Sequence, residues 1–159
     1  MKKRANFKEW LTKHHPGIAF LQETHIDSNT LKAWQQEWPY SIYISGGNTK
    51  SKGVATLIPE HLDHNIRWQY SDAHGRLLIL GTTINGFDCI LGNCYFPTKD
   101  NELQQLETLQ ELKEILITHI DEPMIIAGDF NIVILTLISR AGLMLQQNQT
   151  NYRPQLIAN

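Results

Sequence analysis

The residues that could do chemistry stand at the ends of apolar runs. MIIAGDFN, residues 124–131, passes through small and branched apolar residues to Gly128 and then sets down Asp129 and Asn131. IAFLQ (18–22) stops on Glu23, and CILGNCY ends on Tyr95, with Asn93 two residues earlier on the same face of a strand. If these strands are neighbours in one layer, two carboxylates, an amide and a phenol converge on one rim. That is a hard, oxygen-rich donor set. It suits Mg²⁺, which takes one or two carboxylates and keeps waters for a phosphate substrate. A local reading stands beside it. Asp and Asn favour turns because their side chains bond nearby backbone, and a carboxylate at a strand end often serves as a cap.

Other polar residues have two readings as well. Arg76, after Gly75 at a strand start, could contact phosphate or form a surface ion pair. His25, just past Glu23, could approach a substrate or simply be solvated. His61, His64 and His74 lie near one another in sequence, but HLDH (61–64) lacks a cysteine pair or other zinc ligand set. No GxxxxGK[ST] phosphate loop is present.

The elements that must position these residues can be read from periodicity and punctuation. Phe7, Trp10 and Leu11 mark an amphipathic helix over 4–14, which Pro16-Gly17 ends. Ser28 can cap a helix running to about Trp38, with Leu31, Trp34 and Trp38 on one stripe. Strands are expected at 41–45 and 53–58, joined by GGNTKSK. Two more at 76–84 and 87–96 flank Asn85-Gly86, a type I′ hairpin signal. A helix over about 101–120 carries Leu103, Leu106, Leu109, Leu112 and Leu116 in phase, capped by Asp100 or Asn101, with Glu102 and Glu107 suiting its positive end. The order reads α β α β β β β β α β, with bounded runs named for all but one strand. Helices between hairpins imply sheets covered by helices, an α/β (α+β) layered domain. Past residue 132 the pattern weakens into a polar Gln/Asn tract, so 1–131 is expected to form the domain and 132–159 a degenerate or poorly ordered tail.

A hydrophobic fraction of 42% fits a globular chain, and a net charge of −2 excludes a uniformly basic nucleic-acid binder. Lys2, Lys3, Arg4, Lys8 and Lys13 nevertheless make the first helix basic, and Lys50 and Lys52 sit in a Gly-containing loop. These are either phosphate-contacting patches or a solvated helix face and a charged loop. Cys89 and Cys94 fall on opposite faces of one strand and cannot pair, which suits a reducing interior. No apolar run reaches the length of a membrane helix, and MKKR lacks a following apolar signal core. The chain reads as soluble and intracellular.

FLQETH (20–25), SKGVATLI (51–58), GRLLIL (75–80), GNCYFPTKDN (92–101) and AGDFN (127–131) stand in the order seen in the endonuclease/exonuclease/phosphatase superfamily. The chain resembles that superfamily over about residues 4–131, and most of all its non-LTR retrotransposon endonuclease branch. The resemblance implies a DNase I-like, four-layer α/β sandwich, here partial with the second sheet incomplete. It implies metal-dependent hydrolysis of a DNA phosphodiester, with Mg²⁺ as the ion or Mn²⁺ in its place. Glu23 would hold the metal. Asp129 would orient and activate the attacking water, Asn131 would position that water or the phosphate, and Tyr95 would hydrogen-bond the scissile phosphate.

The sequence also departs from the family pattern. The first-strand Asn has no counterpart, and after Asn131 there is no Asp, Glu or His to supply the family's acid–histidine pair. Ser139 stands where retroelement relatives carry an acid before the Arg. Truncation at both ends is therefore expected, with an inactive or feeble nuclease as the result. DNA is the expected partner and, in a functional retroelement protein, the nucleus the place of action. The alternatives are a non-catalytic nucleic-acid-binding remnant and a small-molecule or lipid phosphodiesterase of the same fold.

Overall fold

The computed structural model describes residues 2–14, 17–26, 28–46, 53–98 and 100–131. The expected tail at 132–159 and the Lys50 and Lys52 loop lie outside the described residues, as do the side chains of Lys2, Lys3, Arg4 and Lys8.

Helix α1 (Lys2–His14) leads to the short strand β1 (Ala19–Leu21), and α2 (Ser28–Glu37) to β2 (Tyr40–Ser45) and β3 (Val54–Pro59). Then come β4 (His64–Ser71), β5 (Leu77–Ile84), β6 (Phe87–Tyr95), α3 (Glu102–Ile117) and β7 (Met124–Asp129). This is the order read from the sequence. β4 is the strand left without bounds there. His64, Ile66, Trp68 and Tyr70 are half-buried and alternate with exposed Asn65, Arg67, Gln69 and Ser71, so its apolar signal is diluted by half.

Two sheets result. In the first, β3 lies between β1 and β2 and is antiparallel to both. The second runs β4-β5-β6-β7, antiparallel except for the parallel β6–β7 pair. Asn85 and Gly86 both take positive φ, at 48° and 83°, as the hairpin signal requires.

Three apolar clusters separate four layers. Leu11 of α1, Trp34 of α2, Trp38 just past it and Tyr40 of β2 cover one face of the first sheet. Val54 and Ile58 of that sheet meet Leu78, Leu80 and Leu91 of the second between the sheets. Ile79, Ile90, Cys94 and Phe96 pack under Leu112 of α3. The architecture is the mixed α/β sandwich of layers that the resemblance implies. Cys89 and Cys94 are free and lie in different clusters, on opposite faces of β6.

The leucine row of α3 departs from expectation. Leu112 is buried and Leu116 packs on the sheet, but Leu103, Leu106 and Leu109 are 69%, 50% and 37% exposed. The reason is angular: steps of three residues fall 60° short of a full turn, so the row drifts off the buried face. Gln105, Thr108 and Leu112 occupy that face instead. The helix begins at Asn101, whose side chain makes no capping bond, with Glu102 in the first turn.

Candidate active site

Each candidate site residue sits where an element stops. Glu23 lies two residues past β1, exposed, with φ 52°. Tyr95 is the last residue of β6 and Asp129 the last of β7, and the parallel register sets them side by side. Asn131 follows with φ 47°, and His25 lies near Glu23 with φ 50°. Apart from the hairpin's Asn85, these are the described non-glycine residues with positive φ. Left-handed backbone costs about 1–2 kcal/mol per L-residue. Such strain is retained where surrounding structure over-determines it, often at functional sites.

Gly128 explains how Asp129 comes so close to Tyr95. Its φ is +146°, and a Cβ there would lie 1.9 Å from the Cys94 carbonyl oxygen. Only glycine lets β7 approach β6 at this point. Phe96 N–H then donates to the Asp129 carbonyl at 2.8 Å, holding the strand end in place.

Across the sheets, the Tyr95 hydroxyl donates to a Glu23 carboxylate oxygen. This bond, together with burial and the charges of Glu23 and Asp129, pushes the phenol up to about 12, against a smaller opposing effect of Arg76. Tyr95 is therefore a neutral donor at neutral pH, within the fields of both carboxylates and one guanidinium. Glu23, Tyr95 and Asp129 are thus brought together.

The remaining candidates divide. Asn131 is at the rim, but its amide donates to the Phe96 carbonyl at 2.9 Å, and its backbone N–H donates to Asp129 Oδ1 at 3.1 Å. Gln105 of α3 ties the same loops, donating to the carbonyls of Pro97 at 2.7 Å and Asn131 at 3.1 Å. Arg76 is neither surface-exposed nor ion-paired among the described residues. It is 9% exposed, and its Nη2 donates to Gln104 at 2.8 Å. Sequence reading gave no hint of that partner, which comes from the start of α3. His25 is exposed. His64 bonds the Leu62 carbonyl at 2.6 Å, and no group of three or more His, Cys, Asp or Glu forms a metal nest among the described residues. A multidentate zinc-type centre is thus absent from them. A hard cation that needs only one or two carboxylates fits the exposed Glu23 and Asp129.

The sequence pattern of the Endonuclease/Exonuclease/phosphatase family matches residues 1–149. Over 115 residues, 72% of the chain, it is 33% identical to the Transposon TX1 uncharacterized 149 kDa protein of Xenopus laevis, of which it spans 9%. Among solved structures it is similar to TDP2 of D. rerio complexed with single-strand DNA product. There the TM-score is 0.63 at 17% identity, covering 87% of this chain and 56% of that one. It is also similar to truncated TDP2 of Caenorhabditis elegans, with TM-score 0.56 at 22% identity, covering 80% and 54%. A third is the 3′ phosphatase NExo from Neisseria bound to product DNA hairpin, with TM-score 0.57 at 20% identity, covering 82% and 53%. The chain thus spans just over half the length of these structures. At such identities they establish the shared fold.

Proposed function

The chain belongs to the Endonuclease/Exonuclease/phosphatase family, and from that premise we propose that it carries the carboxylate–tyrosine half of a retroelement-type DNA endonuclease site. Family and transposon relative together support a phosphodiesterase-type hydrolase. DNA as the substrate is favoured by the transposon relative and by the DNA products held by two of the similar structures. The observation that carries the reading is the junction of Glu23 with Tyr95 across the sheets, with Asp129 beside Tyr95 in register.

Hydrolysis of a phosphodiester spreads charge onto the non-bridging oxygens, and groups fixed there stabilise the transition state more than the ground state. A divalent cation, Mg²⁺ or Mn²⁺, would be held by Glu23 and would supply Lewis-acid stabilisation of that charge. Tyr95, kept neutral, donates a hydrogen bond to a non-bridging phosphate oxygen in place of Glu23. Asp129 accepts a proton from the attacking water, a contribution worth ~10²–10⁴-fold. Asn131, anchored through its amide, leaves Oδ1 to orient that water.

After Asn131 the sequence carries no Asp, Glu or His. The half of the family site built from an acid and a histidine is not supplied there, and removing one charge-stabilising donor costs ~10²–10³ in kcat. We therefore expect slow turnover from residues 1–159 taken alone. Supercoiled plasmid with Mg²⁺ should be nicked at a low rate that Glu23→Ala and Asp129→Ala each abolish. No nicking at micromolar protein, or nicking that survives both substitutions, would defeat the proposal. The same lack favours a second reading, a nucleic-acid-binding remnant. Its mark would be salt-dependent, metal-independent binding without cleavage.

A further inference from the structure

Glu23 and Tyr95 come from different sheets, so their meeting depends on how the sheets are held in relation to one another. The apolar surface between them is non-directional and fixes separation better than lateral position. Most directional bonds between the sheets gather at the site end, while Tyr43 of β2 and His64 of β4 meet at 3.4 Å nearer the other end. Ser45 Oγ donates to Asp72 Oδ1 at 3.0 Å, and Gly53 N–H to the Gly75 carbonyl at 3.1 Å.

The third tie is Asn93, 0% exposed on β6. Its Nδ2 donates to the carbonyls of Ala55 at 2.9 Å and Leu21 at 3.2 Å, which are register partners across β3 and β1. Its Oδ1 accepts from Gln22 Nε2 at 2.8 Å. One planar amide thus uses both hydrogens and its oxygen on the other sheet. It sits two residues before Tyr95 and grips Leu21 and Gln22, immediately before Glu23. A leucine of similar size could fill the space but would take this partner away from two carbonyls and the Gln22 amide. An aspartate would face those carbonyls with no hydrogen to donate.

We propose that Asn93 is a positioning residue that, with Gln22, sets the lateral alignment of the two sheets and so brings Tyr95 onto Glu23. It touches no reacting atom and acts through these two side chains. The proposal rests on the site reading above for its importance, but its geometry can be tested without activity.

Tyrosine Cζ labelled with the heavy carbon isotope reports phenol hydrogen bonding by NMR at neutral pH. Tyr95 is assigned from Tyr95→Phe, and its signal without the carboxylate partner from Glu23→Gln. In full-length Asn93→Leu and Gln22→Ala, the Tyr95 resonance should move toward its Glu23→Gln position. The resonance of Tyr70, whose hydroxyl donates to Glu111 within the second sheet and α3, should stay in place. Gln22→Ala removes one bond of three from a half-buried position, so it decides the matter if Asn93→Leu does not fold. A Tyr95 resonance unmoved in the folded variants, or Tyr95 and Tyr70 moving alike, would overturn the proposal. Plasmid nicking has no bearing on either outcome.

Discussion

Tyr95 owes its state to a carboxylate on another sheet, and that makes it measurable. Its phenol is raised from 10.0 to about 12, first by the bond to Glu23 and then by burial. A raised folded-state pKa means the folded protein holds the proton more tightly than the unfolded chain. The associated stability is fully present below the unfolded value and is lost as pH rises through the folded one. Stability should therefore decline between about pH 10 and 12. Tyr70, raised to about 12 by Glu111, adds to the same decline. Tyr95→Phe should make the fall shallower, and Tyr95→Phe with Tyr70→Phe shallower still, in denaturant melts across that window. An unchanged slope in the double variant would contradict the assignment. The residue types at this site were legible in the sequence because strand ends interrupt apolar runs. The partners were not. Nothing local to Asn93 shows that its amide faces another sheet's backbone, and nothing near Arg76 points to Gln104.

At the scale of elements, local signals proved reliable where they were dense. The Asn85-Gly86 hairpin, the helices over the first sheet and the apolar run before Asp129 all formed, since each rests on chemistry within a few residues. Long-range packing decided the rest. The outer leucines of α3 show this, because a helical row fixes which residues align but not which face meets the sheet. Leu112→Ala should cost about 2–4 kcal/mol, as expected for a buried leucine. Leu109→Ala on the half-open side should cost less than about 1 kcal/mol. Thermal or urea melts of the two variants test the difference, and equal losses would mean that Leu109 is covered as fully as Leu112.

Across the described residues as a whole, the fold is two sheets with the candidate site at their shared end, and its stability is unevenly spread. β5 is central, with Leu77–Leu80 all 0% exposed. β1 spans three residues, and Ile125 of β7 is 56% exposed. Amide hydrogen exchange should therefore be slowest in β5 and β6 and faster in β1 and β7, the strands that deliver Glu23 and Asp129. Uniform protection of all four would count against this reading. The element order implied sheets covered by helices, and the resemblance of five segments to the family made four layers foreseeable. The alignment of one sheet on the other was not foreseeable, because it is held by side chains far apart in sequence.

The interval between Glu23 and Asp129 also orders events during synthesis. Glu23 leaves the ribosome before its companions, the last residues of β6 and β7. Until both strands have emerged and docked, the nascent polypeptide holds an acid with nothing to act beside. Assembly of this rim is therefore postponed until every strand from β1 to β7 has been made.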